Sequence, residues 1–161
     1  METGPFYSMF DVGDYTFAPW KVVWPEVGHE LEAAVAPLVS DKPVVPDHTL
    51  IMIDCGCEEE AHFVCGLLNS TLVRIIVRGY IVLHPDPHVL DHIRIFKYDP
   101  ESSVHKALAK SSHEAHEAAV QGDVARLREI EERIDQLAAQ LWGLTDKELA
   151  EIWRNKEENR V

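Results

Sequence analysis

The chain has 161 residues, 46% hydrophobic and 27% charged, which is the composition of a globular protein with one core. Its apolar runs are shorter than the roughly 18 residues that a membrane helix needs, and no basic stretch precedes an apolar one at the N-terminus. We therefore expect a cytoplasmic protein without a membrane span. The length leaves no room for a catalytic domain beside a recognition domain.

The charge is strongly acidic, with 28 Asp and Glu against 15 Lys and Arg and a net charge of -13. A protein that binds DNA through its own basic face usually has an excess of Lys and Arg. The charge therefore argues against strong DNA binding by this chain alone. Local sequence readout is still compatible with it, because base contacts need few side chains while a partner can supply most phosphate attraction.

Short strands and loops are predicted for the first 100 residues, with one helix among them. β-branched and aromatic residues bounded by Gly, Pro and Asp are typical of strands. The expected strands are residues 15–17, 21–24, 49–54, 74–83 and 89–98. A helix is expected over residues 58–72, because apolar residues recur at spacings of three and four and the first residues are acidic.

Helix-forming residues dominate from residue 101 onward. A first helix is expected over residues 101–121, and Gly122 ends it. Asp123 can cap a second helix that extends to about Trp142. The apolar residues of the second helix form a narrow seam, of the kind that packs against another helix. The seam consists of Val124, Leu127, Ile130, Ile134, Leu137 and Leu141.

The chain ends in a short helix and a polar tail. Thr145 and Glu148 have the spacing of a capping box, and residues 155–161 are expected to fray. The predicted fold class is α+β: an irregular, mostly antiparallel sheet with a packed helix, followed by a C-terminal helical hairpin. The predicted organisation is a globule over residues 1–100 and helices over residues 101–154 that pack on the globule or on a partner.

The cysteines form a pattern with a histidine, C-x-C-x4-H-x2-C, from Cys55, Cys57, His62 and Cys65. Thiolates and imidazoles suit zinc, but this spacing is not one of the usual zinc pairs. Cys65 also falls on the apolar face of the expected helix, where a free cysteine commonly acts as a small hydrophobe. No metal site is predicted, and metal binding by these four residues stays open.

Two sets of histidines lie further along the chain. They are His84, His88 and His92, and then His105, His113 and His116. The first set would share a helix face, but two prolines interrupt any helix there. The second set falls among acidic residues on a helix, where a solvated face is expected. We therefore assign neither set to a metal.

No catalytic constellation is present in the sequence. It contains no G-x-S-x-G motif, no phosphate-binding loop and no glycine-rich dinucleotide turn. Ser112 and His113 are neighbours on a helix, and neighbouring helical side chains point apart. We therefore expect no catalytic residue in this chain alone.

Aromatic and basic side chains are the remaining candidates for a binding surface. Arg and Lys pair with guanine or phosphate, and aromatic rings stack on bases. Phe17 and Trp24 are expected in the core, as aromatic residues of short strands usually are. Lys21 is harder to place there, because unpaired cations are almost never fully buried. The predicted DNA-binding residues are Tyr15, Lys21, Arg74, Arg78 and Tyr80.

Four stretches follow one another along the chain. They are GPFYSMFDVGDYTFAPWKVVWPEV (4–27), EEEAHFVCGLLNS (58–70), IRIFKYDP with HKALAKSSHEAH (93–116), and IDQLAAQLWGLTDKEL (134–149). In this order and spacing they resemble the C-terminal target-recognition domain of adenine-specific DNA methyltransferases, including type IIG restriction-modification enzymes related to the TaqI and Eco57I groups. The resemblance covers most of the chain.

The resemblance implies an α/β globule that contacts the DNA major groove, followed by helices that pack on the rest of the protein. It implies two partners, double-stranded DNA and a methyltransferase catalytic domain or subunit. Residues 26–47 and 74–90 would then be the variable loops that contact the target sequence. The family's cofactor-binding glycine turn and NPPY-type motif are missing, so S-adenosylmethionine is expected on a separate catalytic domain and no cofactor in this chain.

The sequence therefore predicts a DNA sequence-recognition module of a restriction-modification adenine methyltransferase. Two alternatives stay open. One is a helical protein-interaction module that uses the seam of the second C-terminal helix. The other is an inactive gene fragment without DNA binding.

Overall fold

The computed structural model describes residues 12–28, 30–80, 90–91 and 93–158, and its fold class is α+β as expected. Within these residues the chain forms a three-stranded antiparallel sheet and five α-helices. The predictions for residues 81–89 and for His84, His88 and His92 lie outside the described residues, and so does the side chain of Tyr80. The predicted division at residue 100 stays a prediction.

The sheet has the order β2-β1-β3, with β1 (Trp20–Pro25) between β2 (Ala34–Ala36) and β3 (Leu50–Cys55). Val22 and Trp24 lie two residues apart on β1 and are 0% and 1% exposed, because alternate residues of a strand share one face. The predicted strands at residues 21–24 and 49–54 are confirmed. β2 was not predicted, since three residues inside a long loop carry no clear alternation.

The strand predicted at residues 15–17 is wrong. Asp14–Phe17 form a 3-10 turn, in which the Gly13 N–H donates to Thr16 Oγ1 at 3.1 Å. Phe17 is 54% exposed, so its expected core position is also wrong, whereas that of Trp24 is confirmed. The turn lets the chain leave the sheet direction before β1 begins, and it carries Phe17 away from the core.

Two consecutive helices follow the sheet, α1 (Glu58–Asn69), as expected, and α2 (Thr71–Tyr80), where a strand was predicted. Val73 and Val77 are both fully buried and lie four residues apart, which is helical spacing. Residues 90–91 and 93–98 are also not a strand. Among the described residues no single helix is long and apolar enough to span a membrane. α1 and α2 together have the length and composition of a membrane span, but the chain bends by 58° between them.

The three C-terminal helices confirm the predicted capping signals. α3 (Ser103–Gln121) ends at Gly122, whose φ of 68° is left-handed, and Asp123 then accepts a hydrogen bond from Arg126 N at 3.0 Å to start α4 (Val124–Trp142). α5 (Asp146–Glu158) begins with the predicted box, in which Glu148 accepts from Thr145 N and Oγ1 at 2.8 Å. It extends beyond residue 154, the expected end of the ordered helices.

α1 is the central element of the core, and it contacts the sheet as well as α3 and α4. Phe63, Leu67 and Leu68 are all 0% exposed. Gly66 allows α3 to come close, because a Cβ at this position would lie 3.2 Å from the side chain of Leu108. The separation of α1 and α3 is therefore set at a residue without a side chain.

Most of the apolar seam of α4 packs against the core of this chain. Ile130 and Ile134 belong to the core, and three further seam residues pack against it: Leu127, Leu137 and Leu141. Val124 is the exception, at 69% exposure. The seam therefore offers little unpaired surface to a protein partner.

A buried carboxylate joins three of the helices. Asp135 on α4 is 4% exposed and accepts hydrogen bonds from Thr71 N at 2.6 Å and Thr71 Oγ1 at 2.7 Å, at the start of α2. It also accepts from Trp153 Nε1 on α5 at 2.8 Å. With three donors, the buried charge is well compensated.

Candidate functional site

Lys21, a predicted DNA-binding residue, is not on the surface. It is 1% exposed, and its Nζ donates a hydrogen bond to the backbone carbonyl of Ala18. Asp54 lies opposite it in the register of β3. Burial lowers the pKa of Lys21, and the charge of Asp54 opposes this shift. The expected exposure is wrong because a local carbonyl and a nearby carboxylate compensate the cation; contact with DNA stays a prediction.

Arg74 and Arg78 lie one turn apart on α2, and both face acidic side chains of the segment between β1 and β2. Arg74 Nη2 is 3.4 Å from Glu30 Oε2 and 3.3 Å from Glu32 Oε1. Arg78 Nη1 is 3.9 Å from Glu30 Oε1. The structure thus brings these two predicted residues together, on a helix and not on the loop expected over residues 74–90. We call these two arginines with Glu30 and Glu32 the α2 charged face.

Tyr15, another predicted DNA-binding residue, lies in the 3-10 turn before β1 and is 38% exposed. Its ring covers Gly13, where an added Cβ would lie 2.5 Å from Tyr15 Cε1. The predicted binding residues therefore fall on three elements: the turn, β1 and α2. Their role in DNA binding stays a prediction.

A second polar cluster lies where α1 packs on α3. Glu58 and His62 are one turn apart on α1, and His113 faces them from α3. One ligand-capable atom from each of the three residues lies within 4.8 Å of the others. His113 Nε2 is 4.0 Å from Glu58 Oε1, and the rings of His62 and His113 are 5.0 Å apart. We call these three residues the histidine cluster.

His62 is the buried member of the histidine cluster, with 6% exposure. Its Nδ1 lies 3.3 Å from Ser112 Oγ on α3. Burial lowers the pKa of His62 to about 4, and the nearby His116 and His113 add to the shift. At neutral pH the ring is therefore uncharged, which is the form of imidazole that binds metals.

The two other histidines of α3 have structural roles, so the expected solvated face is correct only for His113. His105 is 8% exposed; its Nδ1 accepts from Asp99 N at 3.0 Å and its ring stacks on Phe63 at 4.4 Å. His116 Nε2 accepts from Val35 N at 3.0 Å, and its Nδ1 donates to the Ser112 carbonyl at 2.7 Å. Both ring nitrogens of His116 are thus occupied.

The three cysteines are free thiols, and they do not form a ligand set with His62. Burial raises the pKa of Cys55 and that of Cys65 to about 12, so both are protonated at neutral pH. Cys65 Sγ instead donates to the Ala33 carbonyl at 3.4 Å. In the part of the chain that the structure describes, His62 is the one member of the C-x-C-x4-H-x2-C pattern that belongs to a metal-capable group.

A cleft of about 530 Å³ opens at the histidine cluster. Its lining includes Glu58, His62, Tyr98, Lys106, His113 and Glu117. This group was not predicted from the sequence. The spacing of Glu58 and His62, four residues on a predicted helix, is a signal for two of its members, but the position of His113 depends on how α1 and α3 pack.

Part of the chain is similar to a type II methyltransferase. Over 70 residues, 44% of the chain, it is 37% identical to the type II methyltransferase M.NspV of Nostoc sp.. The chain spans 15% of the length of that protein. No protein-family model matches the chain, and no solved structure matches it. The similarity supports a relationship to the methyltransferases of restriction-modification systems.

Proposed function

We propose that this chain is the DNA sequence-recognition part of a type II adenine methyltransferase, and that a separate catalytic domain or subunit binds S-adenosylmethionine and transfers the methyl group. The observation that carries the proposal is the 37% identity to a type II methyltransferase over 70 residues. The missing catalytic motifs favour recognition over catalysis as the role of this part.

The α2 charged face is the surface that we assign to DNA. The guanidinium group of arginine forms paired hydrogen bonds with the acceptors of guanine and with phosphate. Arg74 and Arg78 already point to carboxylates, which are anionic acceptors of similar geometry. A DNA duplex would replace Glu30 and Glu32 as the partner of the arginines.

Because the net charge is -13, we assign affinity for DNA and choice of sequence to different parts of the complex. Phosphate contacts supply most of the affinity of DNA-binding proteins, and they make it fall steeply with salt. An acidic chain gains little affinity from phosphate contacts. We therefore assign the bulk of the affinity to the catalytic partner and the choice of sequence to this chain.

Sequence selection from a randomised pool of duplexes tests the proposal. The full chain is used at low salt, alone and together with the catalytic domain of a type II methyltransferase. We expect one sequence motif to be enriched, more strongly in the mixture, and methylation of that motif to need both polypeptides. Equal enrichment and equal methylation by the partner alone would contradict the proposal.

Variants of the α2 charged face locate the contact. Replacing Arg74 and Arg78 together by Ala should weaken binding of the selected duplex about 10-fold or more, the effect of about 1–3 kcal/mol for a specific arginine contact. Arg128→Ala on α4, an exposed arginine, is the matched control and should leave binding unchanged. Unfolding curves confirm that each variant is folded.

Removing the acidic partners should act in the opposite direction. Glu30→Gln with Glu32→Gln frees both arginines from competing carboxylates, so duplex affinity should rise severalfold at low salt. Glu26→Gln, an exposed carboxylate earlier in the same segment, serves as a control for net charge. If the arginine and glutamate variants all bind like the controls, the contact does not lie on α2.

A further inference from the structure

We propose that Glu58, His62 and His113 bind a divalent transition-metal ion of the zinc class, which joins the start of α1 to the middle of α3 at the edge of the cleft. The proposal does not depend on DNA recognition. The site as a whole becomes visible only in the packing of α1 on α3.

The donor set fits such an ion. Two imidazoles and one carboxylate are ligands that zinc accepts, and three protein ligands leave a coordination position open to the cleft. The carboxylate of Glu58 also brings a charge opposite to that of the cation. Glu59, Glu114 and Glu117 line the same cleft, together with the cations Lys106, Lys110 and Arg126. Glu114 is paired with Arg133 and, at 3.8 Å, with Lys110.

The three donor atoms are near the spacing that a metal requires. They lie within 4.8 Å of one another, whereas bonds of 2.0–2.1 Å in a tetrahedral zinc site place ligand atoms about 3.3 Å apart. Movement of the two outer residues can close this gap between the ligand atoms. The side chains of Glu58 and His113 are 47% and 49% exposed, so they have room to rotate toward the buried His62.

The surrounding side chains orient both imidazoles. His113 directs Nε2 toward Glu58, while its Nδ1 lies 3.9 Å from Glu117 Oε1, one turn further along α3. His62 has Nδ1 at Ser112 Oγ, which leaves its Nε2 for a ligand. In metal sites the second ring nitrogen of a histidine almost always donates to such a group, often a carboxylate, and Glu117 is close enough to accept from His113 Nδ1 after rotation of the side chains.

His116 does not belong to the site, although its ring lies 5.0 Å from that of His62. One of its nitrogens accepts from Val35 N and the other donates to the Ser112 carbonyl. Using His116 as a ligand would break a hydrogen bond that ties β2 to α3. The site is therefore a set of three protein ligands.

Metal titration of the full chain tests the proposal. After removal of metals with EDTA, ZnCl2 is added in a calorimeter, and CoCl2 is added while the visible absorption is recorded. We expect one ion per chain and a cobalt spectrum without the near-ultraviolet bands of thiolate ligands. Zinc should also raise Tm with increasing concentration, because binding to the folded state stabilises it.

The decisive variants change the two exposed ligands, so that folding is preserved. Glu58→Gln and His113→Ala should each weaken zinc binding by about 100-fold, and Glu117→Gln by about 10-fold, within the range known for groups that orient a ligand. The matched controls are Glu26→Gln, an exposed carboxylate that does not line the cleft, and His48→Ala, an exposed histidine elsewhere. Both controls should bind zinc like the wild type.

A further variant separates this site from histidines outside the described residues. Replacing His84, His88 and His92 together by Ala should leave zinc affinity unchanged. Three outcomes would overturn the proposal: no binding of zinc or cobalt, loss of binding in this triple variant, or equal affinity of wild type, Glu58→Gln and His113→Ala. Thiolate bands in the cobalt spectrum would also overturn it, because they place the ion on cysteines.

Discussion

The cluster around Asp135 and the histidine cluster both place polar side chains between packed helices, but they differ in how completely those side chains are paired. Asp135 is 4% exposed and accepts three hydrogen bonds of 2.6–2.8 Å from α2 and α5. In the histidine cluster the contacts of His113 with carboxylates are 3.9–4.0 Å long, and two of the three side chains are about half exposed.

This difference distinguishes a side chain that stabilises the fold from side chains that can still bind a ligand. A buried carboxylate with short bonds on both oxygens is held by the fold, and at 4% exposure it is not accessible to a ligand. Imidazole and carboxylate groups with long contacts beside a cleft retain the capacity to bind one. Substitutions at Asp135 should therefore change the stability of the chain, whereas substitutions in the histidine cluster should change metal binding.

The largest effect is expected at Asp135. Asp135→Ala removes the acceptor of three hydrogen bonds from Thr71 and Trp153 and should lower the free energy of unfolding by about 4 kcal/mol. Urea denaturation followed by circular dichroism measures it. Asp123→Ala removes an exposed cap of α4 and is the matched control, at about 1 kcal/mol. Equal losses in the two variants would contradict the structural role of Asp135.

The next effect is a pH dependence that comes from His62. Its pKa is about 4 in the folded chain against about 6.5 for a free histidine side chain, so between these values the unfolded state binds more protons. Stability due to His62 is complete above pH 6.5 and falls as pH decreases toward 4, by up to about 3 kcal/mol. With EDTA present, His62→Gln should flatten this part of the profile. Parallel profiles for both proteins would rule out a buried neutral His62.

A smaller effect is expected where α1 meets α3. Gly66→Ala places a methyl group against Leu108 and should cost about 1 kcal/mol, because the overpacking outweighs the gain in helix propensity. Gly79→Ala on α2 is the control: no atom of the residues that the structure describes lies within 4 Å of its added Cβ, so it should stabilise the chain. Thermal unfolding of both variants shows whether the signs differ, as close packing at Gly66 requires.

The smallest effect on stability is expected at His113. His113→Ala should change the free energy of unfolding by less than about 0.5 kcal/mol in EDTA, since the side chain is exposed and its contacts are long. The same variant should lose zinc affinity, and this combination distinguishes a binding residue from a structural one. A loss comparable to that of Asp135→Ala would remove the contrast between the two clusters.

The helical half of the fold could be predicted from local signals. Gly122, Asp123 and the pair of Thr145 and Glu148 mark helix ends through their own backbone or side-chain bonding, which needs no distant partner. α2 was missed because its β-branched residues favour strands, whereas its burial follows helical spacing and its start is held by a carboxylate on α4. The three-residue β2 depends on pairing with β1 and carries no signal of its own.

The candidate sites were less predictable, because both depend on tertiary contacts. Lys21 was expected on the surface, since no sequence pattern shows that a carbonyl and Asp54 would compensate its charge. Arg74 and Arg78 were found by residue type, but their pairing with Glu30 was not. His113 could not be connected with His62 before the packing of α1 on α3 was known.

The hydrogen bond from Trp153 to Asp135 makes the indole of α5 a reporter on the position of α2. The carboxylate that receives this indole N–H also receives the first N–H of α2, the helix that carries Arg74 and Arg78. A displacement of α2 would stretch the bonds from Thr71 to this carboxylate and so change the surroundings of the indole that shares it. A fluorine label on Trp153 would therefore report, by its resonance frequency, on events at the arginines without touching them.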